Sequence, residues 1–118
     1  MDINSIQNKL KKFVDERDWE QFHSPKNLIM AITSEVGELN DLFQWLTEEE
    51  SKLKKDSTEI NKVKEEIADI FIYLLRLADK LDIDIEKAIV DKMEINSIKY
   101  PVNLSKGNAT KYNRRKEN

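Results

Sequence analysis

Residues 65–81 read EEIADIFIYLLRLADKL, and the way this stretch folds decides the architecture around it. Ile67, Ile70, Phe71, Ile72, Leu74, Leu75 and Leu77 cover most of a helix's circumference instead of one stripe. A helix apolar nearly all round must be covered nearly all round. A chain of 118 residues has room for one ordinary domain and few further helices to provide that cover. The expectation is an all-α, four-helix bundle whose cover is completed by a second subunit.

Outward from this helix, the remaining elements follow from local signals. Asp56 or Ser57 starts the long helix and Leu81 ends it. Before it, TEEESKLKKDSTE has too few apolar residues to pack and reads as a solvated connection. A preceding helix begins at HSPKNL, where Ser24 is a good N-cap and Pro25 suits the first helical position, and continues through Leu46. The first helix runs from about Asn4 to Trp19, with Ile6, Leu10, Phe13 and Val14 on one face and Asn4 or Ser5 as cap. A fourth helix is capped by Asp84, carries Ile85, Ala88, Ile89, Met93 and Ile98 at near-helical intervals, and stops before Pro101. The domain is expected to span residues 1–104, with residues 105–118 a basic flexible tail.

Composition narrows the chemistry. Two Gly, two Pro and 36% charged residues suit helices better than strands. The absence of cysteine removes disulfides, thiolate metal sites and cysteine nucleophiles. With no signal-peptide layout and no membrane-length apolar run, the chain reads as soluble and cytoplasmic. Residues 1–98 hold 14 Lys and Arg against 22 Asp and Glu, while residues 99–118 hold 6 against 1. An acidic body suits a cation and makes nucleic acid an unlikely partner.

Within NLIMAITSEVGELNDLFQWL, Glu35 and Glu38 interrupt an apolar run three residues apart, and Glu66 and Asp69 repeat the device in the long helix. Side chains at i and i+3 lie about 60° apart around the axis, close enough to grip one ion together. If the two helices pack with these pairs facing, four carboxylates converge on a hard-cation site of the magnesium or manganese type. The same spacing is also common on solvated helix surfaces, and a structural salt-bridge network with Lys64 or Arg76 is a further reading, although neither motif contains a base. Gly37, inside the first pair, is expected to admit a close neighbour. Magnesium held by carboxylates keeps positions for phosphates, which makes a nucleotide or other polyphosphate the natural ligand class. Trp19, Phe22, Trp45 and Tyr73 are candidate base-stacking groups, although aromatics at helical spacing are more often core, which is the favoured reading for Phe22 and Tyr73. His23 is a second cap or a ligand, and Lys92, Asn96, Lys99 and Tyr100 form a polar strip at the end of the fourth helix.

The pattern Glu-x-x-Glu, a gap, then Glu-x-x-Asp, with SEVGELNDLFQW and EEIADIFIYLLRLADKLDIDIEKAI around it, resembles the MazG-like all-α nucleoside triphosphate pyrophosphohydrolases. The phrases ERDWEQFHSPKNL and KMEINSIKYP look most like the dCTP pyrophosphatase branch, and the resemblance covers roughly Ile6 to Leu104. It implies a homodimer or homotetramer and hydrolysis of a nucleoside triphosphate between the α- and β-phosphates. By position it implies magnesium ligation by Glu35, Glu38, Glu66 and Asp69, with Glu35 also orienting or deprotonating the attacking water. Trp19, His23, Trp45 and Tyr73 fall where relatives shape the nucleoside pocket, and Lys92, Asn96, Lys99 and Tyr100 where relatives touch phosphates, often from a neighbouring subunit. Leu10 departs from the pattern, standing where vertebrate dCTP-cleaving relatives carry a histidine near the base. The expected activity is therefore cleavage of dCTP or a modified dCTP in nucleotide-pool cleaning, against a broader or dUTP-preferring hydrolase, or a non-catalytic helical interaction module.

Overall fold

The computed structural model describes residues 1–115. The chain forms α1 (Ile3–Glu16), α2 (Pro25–Phe43), α3 (Thr58–Lys80), α4 (Ile85–Lys99) and a four-residue α5 (Val102–Ser105), with single 3-10 turns at Glu20–Phe22 and Glu50–Lys52. No strand occurs among the described residues. The four long helices are those expected, and α5 is an addition. The expected tail ends in residues 116–118, which lie outside the described residues.

Three helices start where the sequence places them, because cap chemistry is local. Ser24 Oγ accepts from the Asn27 N–H at 3.2 Å, Ser57 Oγ from the Ile60 N–H at 3.2 Å, and Asp84 Oδ1 from the Lys87 N–H at 3.0 Å. Each such cap is worth about 1 kcal/mol. α1 differs: Asp2, not Asn4 or Ser5, is its cap, accepting from the Ser5 N–H at 3.0 Å. It also ends three residues earlier than Trp19. Asp18 turns left-handed at φ 53°, its N–H reaches Asp15 O at 3.1 Å, and the Trp19 N–H reaches Val14 O at 3.0 Å. This paired closure folds Trp19 back onto Phe13, with ring centroids 5.7 Å apart and edge to face. α3 ends in the same way through Asp82, with the Ile83 N–H on Ala78 O at 2.8 Å.

The chain packs as two compact units, one up to Ile83 and one from Asp84 onward. In the first, α3 lies along α2 and also packs on α1. Val14, Leu28, Val63, Leu75 and Ala78 form the buried core, and Gln7 Nε2 ties α1 to α3 by donating to Leu75 O at 3.1 Å. That core covers only part of α3, since Ile67, Phe71, Ile72 and Leu74 remain exposed, as do Ile29, Met30 and Val36 of α2. In the second unit α4 leads into α5, and Tyr112 returns to Tyr100, edge to face at 6.0 Å. Lys99 Nζ sits 4.7 Å above the Tyr112 ring, and Arg115 Nη1 donates to Lys99 O at 2.7 Å.

With so few buried side chains, each counts. Leu28 is 1% exposed, and Leu28→Ala is expected to cost about 3 kcal/mol in chemical denaturation, through lost apolar burial and the void left behind. A loss below about 1 kcal/mol would place Leu28 outside the core.

Candidate metal centre and adjoining cavity

The α2–α3 contact brings Glu35, Glu38 and Glu66 together, with one carboxylate oxygen of each lying within 4.8 Å of the others. Glu38 is exposed, while Glu35 and Glu66 are half-buried. Oε2 of Glu35 and Oε2 of Glu66 are each shielded from solvent with no hydrogen-bond partner. Among the described residues none of the three carboxylates forms an ion pair. Anionic oxygens held so close without a base favour protonation. The Glu66 carboxyl against it, its own burial and then the neighbouring Glu38 push the Glu35 pKa up to about 7. Shielded oxygens without donors, converging from two helices, fit a hard divalent cation, which takes carboxylate oxygen and would relieve the repulsion. Gly37 meets no close neighbour in this chain, since a Cβ there would find nothing within 4 Å.

Asp69 does not join the trio. It stands one turn beyond Glu66 and one turn before Tyr73, on the wall of a cavity of about 390 Å³. The wall is completed by Leu10, Phe13, Val14, Trp19, His23, Ile72, Tyr73 and Arg76. Three of the four residues expected to shape a nucleoside pocket, Trp19, His23 and Tyr73, thus converge, with Leu10 among them. Trp45 does not: α2 ends at Phe43, two residues before it, and its side chain is 86% exposed. Of the α4 strip, Lys92 and Asn96 border a shallow groove with Ile85, Ala88, Ile89 and Met93, while Lys99 and Tyr100 are engaged by Tyr112.

Sequence reasoning weighs Arg76 only as a salt-bridge partner of the acidic pairs, and the structure pairs it with Glu20 and Asp79 instead. It is 3% exposed, its Nη2 lies 2.8 Å from Glu20 Oε2, its Nη1 3.6 Å from Asp79 Oδ2, and its Nε donates to His23 Nδ1 at 3.4 Å. Lys80 also pairs with Glu20. The Lys80 hydrogen bond and the Arg76 charge hold the Glu20 carboxyl below its usual range, and burial followed by the Arg76 charge lowers the pKa of His23. The available signal was one arginine inside the apolar run LLRLA, where a charge is costly unless paired. The backbone of His23 closes the Glu20–Phe22 turn, its N–H reaching Glu20 O at 3.1 Å, while its side chain meets Arg76 on the cavity wall.

This helical frame with its acidic cluster has clear relatives. The family model described as MazG-like family matches residues 30–114, and the chain belongs to that family. It is 45% identical to dCTP pyrophosphatase 1 of Bos taurus over 111 residues, which is 93% of this chain and 66% of that protein. Against dCTP pyrophosphatase 1 of Homo sapiens identity is 41%, over 93% of this chain and 65% of the relative. The chain thus spans about two thirds of the length of these curated relatives. A crystal structure of a pyrophosphatase from Archaeoglobus fulgidus superposes with a TM-score of 0.78 at 39% identity, covering 86% of this chain and 94% of that one.

Proposed function

We propose that this chain is a magnesium-dependent nucleoside triphosphate pyrophosphohydrolase that cleaves dCTP, or a modified dCTP, to the monophosphate and pyrophosphate. The observation that carries the reading is the trio Glu35, Glu38 and Glu66, whose unpaired oxygens meet beside a largely apolar cavity reached along the same helix. The names of the relatives support the substrate, and family membership supports the reaction class.

Glu35, Glu38 and Glu66 would hold magnesium, or manganese, and Asp69, one turn along α3, would face the same nucleotide or complete the ligand set. When bound, the cation offsets the charge that builds on the phosphate oxygens and makes a bound water more acidic. Glu35 would orient the attacking water or accept the proton it loses. The water oxygen bonds to one phosphorus of the α–β bridge, and the bridging P–O bond breaks. Trp19 and Tyr73 offer ring faces to the base. Lys92, Asn96, Lys99 and Tyr100 would meet phosphates. The exposed apolar residues of α3 support a homodimer or homotetramer, which we place in the cytoplasm with a role in nucleotide-pool cleaning. No helix among the described residues is long and apolar enough to cross a membrane.

A panel of triphosphates incubated with magnesium tests this directly. Equimolar monophosphate and pyrophosphate are expected, with dCTP hydrolysed ahead of dUTP, dTTP and the purine nucleotides. Diphosphate plus free phosphate would refute cleavage at the α–β bridge, and a dUTP preference would leave the chemistry standing and reassign the base.

A further inference from the structure

We infer that Arg76 is a positioning residue that holds His23 in its Nε2–H tautomer, giving the cavity a fixed hydrogen-bond donor for the acceptor edge of a cytosine ring. The inference deepens the proposed function and rests on it for the identity of the ligand.

A guanidinium only donates, so the nitrogen facing it must carry a lone pair. Arg76 Nε lies 3.4 Å from His23 Nδ1, which makes Nδ1 the acceptor and puts the ring proton on Nε2. The guanidinium is anchored as well as buried. Its Nη2 is held by Glu20 at 2.8 Å and its Nη1 faces Asp79 at 3.6 Å, so it has little freedom to turn away from the imidazole. Lys80, on the other oxygen of Glu20, completes a set in which both acidic side chains face bases and the imidazole is the one neutral member. Burial and the arginine charge keep that ring neutral, so the tautomer persists at physiological pH.

His23 and Arg76 both line the cavity of about 390 Å³, whose wall is otherwise mostly aliphatic and aromatic. In such a cavity a few fixed polar atoms decide which ring is accepted. With Nδ1 turned to Arg76, Nε2–H is the ring atom of His23 left to donate, on a residue that lines the cavity. Cytosine presents acceptors at O2 and N3, whereas uracil and thymine carry a proton at N3. A fixed donor that meets the ring at N3 therefore favours cytosine, whereas at O2 all three pyrimidines would accept it. A lysine at position 76 would keep the charge beside Glu20 but lose the planar fork that holds the tautomer.

His23 is the single histidine of the chain, so a histidine-labelled ¹⁵N spectrum reports one imidazole. In the wild type, Nδ1 is expected to resonate as an unprotonated nitrogen and Nε2 as a protonated one. In Arg76→Lys the two tautomers should mix, with KM for dCTP rising about three- to tenfold and kcat nearly constant, as befits one lost hydrogen bond to the substrate. Mixed tautomers in the wild type would overturn the inference, as would a tautomer shift in the variant without a KM change. Should Arg76→Lys not fold, Glu20→Gln loosens the same guanidinium and gives the same readout at smaller size. Failure of the wild type to turn over dCTP would refute the functional reading and the base-recognition half, while the wild-type spectrum would still decide the tautomer.

Discussion

Glu66→Gln is expected to lower kcat about a thousandfold with dCTP while raising the melting temperature of the metal-free protein. Both effects come from one oxygen. Glu66 Oε2 is enclosed and without a partner, one carboxylate oxygen of Glu66 lies within 4.8 Å of oxygens on Glu35 and Glu38, and Gln preserves the volume while removing the charge. If the trio holds a divalent ion, that ion supplies several kcal/mol of transition-state stabilisation. At about 1.4 kcal/mol per tenfold, losing about 4 kcal/mol of it is a thousandfold. In the metal-free state above about pH 7, where Glu35 is ionised, the same carboxylate repels its neighbours, and relief of about 1 kcal/mol raises Tm by about 4 °C in a domain of this size. The control is Glu65→Gln, one residue away and exposed, which should change neither quantity. Steady-state kinetics, magnesium titration calorimetry and thermal scans in chelator measure the three effects. An active variant within tenfold of wild type, or one that binds magnesium normally, would remove Glu66 from the metal centre.

The parts of this arrangement legible in the sequence were those whose causes are local. Ser24, Ser57 and Asp84 cap within three residues of themselves, so they could be read directly. The acidic pairs were visible because they interrupt apolar runs. Which member of each pair turns inward was not visible, because that depends on how α2 and α3 are rotated about their axes; Glu35, Glu38 and Glu66 meet, and Asp69 faces the cavity instead. The end of α1 was hidden because its left-handed residue is Asp18 and not the glycine that usually marks such a closure. Trp45, which the resemblance puts in the pocket, is not on this cavity's wall, and α2 ends at Phe43 instead of Leu46. What Arg76 would pair with lay beyond reach for a different reason. Its partners Glu20 and His23 are 56 and 53 residues away, and only the packing of α3 beside the Glu20–Phe22 turn brings them together.

The metal-free protein is expected to lose stability as pH rises from about 5 to about 8, and magnesium to restore it mainly at the upper end. Glu35 carries the effect, since its folded pKa is pushed up to about 7 from an ordinary carboxylate value of 4.5. Between those values the folded chain binds a proton that the unfolded chain has already released. Stability therefore falls with rising pH across that window and levels off above it. Each tenfold difference in proton affinity between the folded and unfolded chain is worth about 1.4 kcal/mol; discounted because the site is only half-buried, the loss is about 2 kcal/mol or several degrees in Tm. Two other groups act with the opposite sign. The depressed pKa of Glu20 favours the fold above the unfolded carboxylate range and is lost in acid, below this window. The lowered pKa of His23 makes stability rise with pH up to about its unfolded value of 6.5, so the net decline should steepen above that point. Glu35→Gln removes only the first contribution, and subtracting its profile isolates it. A divalent ion requires ionised carboxylates and stabilises by mass action, so millimolar magnesium should raise Tm more at pH 8 than at pH 5. Thermal scans in chelator and in magnesium across that range measure this. A metal-free profile that rises through pH 7, or a magnesium effect larger in acid, would show that these carboxylates do not share the repulsion their geometry implies.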